Sequence, residues 1–202
     1  MKKQGFKSFI PVIIIFLVLT LDQISKFWVK TNMFIGQEYI IIPNWFRIHF
    51  IENEGMAFGM QLGIPAGKLM LSLFRIIAVI AIGWYLIKSI QKKEKLLKTS
   101  ILALIFAGAA GNIIDSALYG LLFTESTYYQ IATFSPGHGY APLLYGKVVD
   151  MLYFPLIDTT LPSWVPWMGG ENFLFFRPVF NIADSSITIG VLLLLIFHKR
   201  IF

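Results

Sequence analysis

Four apolar runs limit what this chain can fold into. They cover about 9–29, 69–88, 99–119 and 181–198, and each is close to the ~20 residues needed to cross the hydrocarbon core of a bilayer. Only 14% of the 202 residues are charged, against about 25% in an ordinary soluble domain. The chain therefore reads as a single integral membrane domain over 1–202. The expected fold is an all-α membrane protein: a four-transmembrane-helix bundle with an extracytoplasmic β-rich cradle and a long loop or short helical lid.

The net charge of +6 would suit a nucleic-acid binder, but the cations sit elsewhere. Lys2, Lys3 and Lys7 precede the first run. Lys88, Lys92, Lys93, Lys95 and Lys98 join the second to the third, and Lys199 and Arg200 follow the fourth. With four crossings these clusters share one side, which the positive-inside rule makes cytoplasmic, together with both termini. The opening MKKQGFK followed by FIPVIIIFLVLTL resembles a signal peptide. The run is long and no small-residue cleavage site follows it, so an uncleaved first helix is expected. With no cysteine, disulfides, thiol nucleophiles and Cys-ligated metals are excluded.

Two loops, about 30–68 and 120–180, fall on the outer side. IIIPNWFRIHFIENEG in the first is rich in β-branched and aromatic residues and predicts short strands. The second holds Trp164, Trp167, Phe173, Phe175 and Phe176, which suit either a membrane–water boundary or simple packing.

Five polar features then need a reason. Asp22 and Lys26, in LDQISK, are spaced i,i+4 and share a helix face, as a structural pair or as part of a site. ENEGMAFGM carries Asn53 and Gly55, a turn signal that is weak alone. AGAAGNIID combines small residues, which allow close helix packing, with Asn112 and Asp115 on one face. Asp150, in YGKVVDM, reads as a loop carboxylate after two β-branched residues. FNIADSS sets Asn181, Ala183 and Asp184 at the start of the fourth run, where a carboxylate also favours the helix dipole. Each has a bland reading, yet all map to one depth of the outer leaflet, and acids inside a membrane are costly.

In order, DQISK, NEGMAFG, GNIID, VVDM and FNIADS resemble the lipoprotein signal peptidase (signal peptidase II) family of bacteria. The resemblance implies an intramembrane aspartic endopeptidase of the bacterial cytoplasmic (inner) membrane, multi-pass, with its active site near the outer leaflet. Its substrate would be a diacylglyceryl-modified prolipoprotein, cut just before the lipidated cysteine. It also implies membrane lipid and globomycin-type inhibitors as partners, no cofactor, no metal, no nucleic acid and a monomer. The catalytic pair would be Asp150 and Asp184. Asp22, Lys26, Asn53, Gly55, Asn112, Asp115, Asn181 and Ala183 would support the site or bind substrate. Two departures stand out. Ser116 occupies a position where the family usually has Arg, and both the Asp115–Asp150 and Asp150–Asp184 intervals are expanded. Arg75, a cation inside the second run, is expected to replace that Arg as a partner of Asp115 or of a loop carbonyl.

Three rival readings remain at this level. A proton-coupled transporter would need polar residues at several depths, whereas stretches such as VLLLLIF and FIPVIII are apolar. A non-enzymatic lipoprotein-binding assembly factor would need the groove but not two adjacent acids. A metal-carboxylate hydrolase would need clustered ligands, and His49, His138 and His198 are scattered.

Overall fold

A computed structural model describes residues 2–54, 65–155, 157–160, 162–164, 166–167, 169–175 and 178–201. Helix α1 spans Lys2–Asn32, α2 Pro65–Gln91 and α3 Leu96–Ile114. The third helix widens into a π-helical turn at Asp115–Tyr119 and closes with a short turn at Gly120–Leu122. Strands β1 (Glu38–Ile42) and β2 (Phe46–Asn53) lie between α1 and α2. Strands β3 (Val148–Tyr153), β4 (Ile157–Thr160), β5 (Asn172–Phe175) and β6 (Val179–Phe180) precede helix α4 (Ile182–Ile196).

Three helical stretches, Phe9–Asn32, Gly67–Gln91 and Leu96–Leu122, are long and apolar enough to cross a membrane. Helices are the expected solution, because lipid offers nothing to the backbone N–H and C=O groups. Exposure follows the helical period. On α2, Met70, Leu73, Phe74, Ile77, Ile80 and Trp84 point outward, while Ser72 and Leu86 are buried on the opposite side. The fourth apolar run is shorter than expected. Its helix has 15 residues, about 22 Å at 1.5 Å per residue, below the ~30 Å of a hydrocarbon core. The helix stops at Phe197, whose backbone leaves the helical region, and the chain resumes in a separate turn at His198–Ile201.

The sheet departs further from expectation. Four antiparallel strands run in the order β1-β2-β3-β6, so both long loops contribute to it. Among the described residues the second loop holds no helical lid beyond the Gly120–Leu122 turn. It supplies the buried strand β3 and a separate β4–β5 hairpin, in which Ile157 faces Phe175 and Thr160 faces Asn172. VVDMLY lacks polar alternation because it is buried between neighbours, and such a run is hard to tell from an apolar loop by pattern. Trp164 and Trp167 lie between the hairpin strands and are exposed. Phe154, just after β3, stacks on Phe46 and on Phe180 and ties the hairpin's root to the sheet.

One core joins α1 to the sheet through Val29, Met33, Phe50, Tyr119, Phe123, Val149 and Met151. A second, around Leu86, Leu102 and Ala103, locks α2 to α3. Helix α4 sits so close to α3 that a methyl group on Gly108 would stand 2.3 Å from the Ala183 carbonyl oxygen. One on Gly111 would stand 2.8 Å from Asp22 Oδ2. The small residues of AGAAG thus set the distance between the helices that carry the polar site. Gly108→Ala is expected to push α4 away from α3 and cost about 1–3 kcal/mol. Thermal unfolding of the detergent-solubilised protein would then show a lowered midpoint; an unchanged one would contradict the close packing.

Candidate active site

The site is built outward from one side of α1. Asp22, Lys26 and Lys30 are spaced i,i+4,i+8, fall on one stripe, and are fully buried. Lys26 Nζ lies 2.9 Å from Asp22 Oδ2 and 2.8 Å from Asp115 Oδ2. It also donates to Asn112 Oδ1 at 3.0 Å. One ammonium thereby uses its three protons on three acceptors from two helices.

The two acids of this cluster reach further. Asp22 Oδ1 accepts from the Ala183 backbone N–H at 2.9 Å, one of the N–H groups a helix start leaves without a partner. Asp115 Oδ2 accepts from the Val149 N–H at 3.3 Å. One carboxylate therefore anchors the start of α4 and the other anchors strand β3. Those are the segments that carry Asp184 and Asp150.

Asn181 joins the two ends. It caps α4: its Oδ1 accepts from the Asp184 N–H at 2.8 Å, and Asp184 Oδ2 accepts from the Asn181 N–H at 3.4 Å. This reciprocal capping box explains why FNIADS begins a helix. The same Asn181 donates through Nδ2 to Asp150 Oδ1 at 2.7 Å. Asn112 donates to Asp184 Oδ1 at 2.8 Å, and Asn53, on β2, donates to Asp150 Oδ2 at 3.3 Å. Asp150 and Asp184, 34 positions apart in sequence, are thus hydrogen-bonded to the same asparagine. Asp150 is 2% exposed, a buried strand residue and not the solvated loop acid expected from sequence. Burial first, and the nearby Asp184 charge second, push its carboxyl up to about 7.

A family model described as signal peptidase (SPase) II matches residues 14–200. The chain belongs to the signal peptidase II family. It is 52% identical to a lipoprotein signal peptidase of Porphyromonas gingivalis over 189 residues, covering 93% of this chain and 81% of that protein. A lipoprotein signal peptidase of Amoebophilus asiaticus is 38% identical over 187 residues, covering 89% and 73%. Two solved structures, each described as a bacterial membrane enzyme, share the fold. One has a TM-score of 0.61 at 27% identity, covering 94% of this chain and 87% of that one. The other has a TM-score of 0.60 at 28% identity, covering 92% and 90%. This protein is accordingly a protease of the membrane.

Within this signal peptidase II, Asp22, Lys26, Asn53, Asn112, Asp115, Asp150, Asn181, Ala183 and Asp184 form one connected polar network. Gly55 lies outside the described residues. Asp115, one of the two partners expected for Arg75, takes a cation from Lys26. The field at Arg75 comes from Asp184 and Asp150. Ser116 lies under the segment around Gly146. It is 4% exposed, bonded to the Asn112 carbonyl at 3.1 Å, and its own carbonyl accepts from the Gly146 N–H at 2.8 Å.

Sequence reasoning missed two contributors. Gln23 donates to Asp115 Oδ1 at 2.9 Å and accepts from Tyr119 Oη at 3.2 Å; an amide in an apolar helix beside Asp22 was the available signal. Lys30 pairs with Glu52 and donates to Ser126 at 3.0 Å, which fixes β2 one residue before Asn53. Its i+4 spacing from Lys26 was equally visible. Removing Lys26 leaves Asp22 and Asp115 buried without a cation. Lys26→Met is therefore expected to destabilise the fold by about 3–5 kcal/mol. A thermal midpoint within a degree of the parent would rule this out.

Proposed function

We propose that the chain is an intramembrane aspartic endopeptidase. It removes the signal peptide from diacylglyceryl-modified prolipoproteins by cutting just before the lipidated cysteine. The observation that carries this reading is that the carboxyls of Asp150 and Asp184 both accept from Asn181, one from its side-chain amide and one from its backbone N–H. Two carboxyls held this way share one proton, because like charges this close cannot both ionise. Asp150, in the drier position, holds it.

The reaction needs only that pair and water. Asp184 removes a proton as the water oxygen bonds to the scissile carbonyl carbon, while Asp150 gives its proton to the carbonyl oxygen. The C–N bond then breaks. The proton on Asp184 moves to the departing cysteine nitrogen, and the diol hydroxyl returns a proton to Asp150 as the carboxyl product forms. The pair ends with the single proton it began with. Asn53, Asn112 and Asn181 keep the carboxyls aimed by amide hydrogen bonds, and each oxygen keeps a lone pair for the substrate. Asp22, Lys26 and Asp115 support the scaffold, Ala183 gives its N–H to it, and Gly55 belongs to the substrate side.

In the membrane, α4 serves as the fourth crossing, extended by the His198–Ile201 turn, and both termini face the cytoplasm. Asp184 then lies at the outer boundary, where the peptide bond meets water and the diacylglyceryl chains stay in lipid. The sheet forms the cradle, and the β4–β5 hairpin with the 120–147 segment forms the lid. The enzyme acts as a monomer, as one membrane-embedded unit, and globomycin-type inhibitors compete with substrate.

Asp150→Asn and Asp184→Asn should each fold with a parent-like thermal midpoint and leave a diacylated lipobox peptide uncut. Cleavage by either variant at more than a few per cent of the parent rate would refute the pair. The proton on Asp150 adds a pH test. Because its carboxyl is raised to about 7, the acid form is lost as pH rises through that value. Turnover should therefore fall on an alkaline limb centred near there, and a rate flat to pH 9 would contradict the assignment.

A further inference from the structure

An arginine inside an apolar helix is costly in lipid and by default marks a functional partner. Arg75 lies on α2 among residues that face lipid, yet it does not share their side. Met70, Phe74, Ile77 and Trp84 are all more than 60% exposed. At 100° per residue they centre on the side opposite Arg75. Arg75 instead lines up with Lys68 below it and the buried Leu86 above it, beside the buried Ser72.

That inward stripe is bound to the site. Lys68 pairs with Glu54, which follows Asn53, the donor to Asp150. Ser72 donates to the Leu144 carbonyl at 2.9 Å in the loop that covers Ser116. One turn on, Arg75 is half-buried on the same side, and the acids whose charge reaches its guanidinium are Asp184 first and Asp150 second.

The charges around the carboxyl pair give this position its meaning. From α1 come Asp22 and Lys26, and from the end of α3 comes Asp115: one cation against two acids. From β2 and the residue after it come Glu52, paired with Lys30 and Lys147, and Glu54, paired with Lys68; Glu125 stands on the far side of Lys147. The surroundings without Arg75 are thus negative, and a second negative charge on the pair would be unopposed.

Resting on the protease reading above, we infer that Arg75 is a positioning residue of the active centre: a fixed guanidinium on α2 that sets the charge state of the Asp150–Asp184 pair. Its field holds one carboxyl ionised against burial and against the net negative charge of the Lys26 cluster.

The test uses the full chain in detergent with a diacylated lipobox peptide, measuring turnover against pH. A nearby cation lowers carboxyl pKa values, so its removal raises them. In Arg75→Gln both limbs of the profile should move to higher pH by about one unit, while Arg75→Lys stays close to the parent. Unmoved limbs in a folded, active Arg75→Gln enzyme would overturn the inference. Should that variant cut too slowly for a profile, infrared titration of the protonated-carboxyl band, assigned by its loss in Asp150→Asn, reads the same shift. An unshifted band would overturn the inference equally. Failure of the protease reading looks different: Asp150→Asn or Asp184→Asn would still cleave.

Discussion

The contact of Lys26 with Asp22 and Asp115 is the interaction on which the rest of the architecture depends. Charges taken out of water carry a penalty of several kcal/mol each, and their attraction only partly offsets it. A hydrophobic triplet would hold the two helices together at least as well. What an apolar triplet lacks is the second oxygen of each carboxylate. Asp22 uses it on the Ala183 N–H and Asp115 on Gln23, while the Asp115 oxygen that meets Lys26 also accepts from the Val149 N–H. The cluster thus converts a helix–helix contact into two directional anchors, one on each chain segment that bears an acid of the proposed pair. Removal of either partner strands buried charge, which makes the arrangement all-or-none.

Precision at the carboxyl pair follows from small residues and amides together. Gly108 and Gly111 let α4 and Asp22 approach α3 closely. At that separation Asn112 reaches Asp184 while accepting from Lys26 and from Asn181. Asn181 performs two tasks with one side chain, capping a helix with its oxygen and holding Asp150 with its nitrogen. Helix capping is a local preference worth about 1 kcal/mol. Here the same geometry aims a chemical group, so local folding and site assembly are one event. The π-helical turn at Asp115–Tyr119 adds to this, since a widened turn redirects side chains where a regular helix would not.

Much of this was readable in the sequence where spacing alone fixes proximity. The Asp22–Lys26 pair follows from i,i+4 geometry, and the helix start at Asn181 follows from a cap with an acid three residues on. Other features were not readable. Asp150 looked like a loop acid because a strand buried on both sides shows no alternation. Arg75 was assigned to Asp115 because sequence cannot say that Lys26 already reaches it. The cover over Ser116 was not readable either, since it comes from Gly146, 30 positions away.

The sequence by itself determined the solvent and the family: apolar runs of bilayer length, cations gathered at their ends, and five short motifs in a fixed order. These are properties of neighbouring residues, and neighbours along a chain stay neighbours in any fold. Only the tertiary structure decided which acids meet, which cation serves which acid, and that the second outer loop completes the sheet. Those outcomes depend on distances between segments dozens of residues apart. Such distances are set by helix packing around Gly108 and by buried charge, and neither leaves a periodic trace in the sequence.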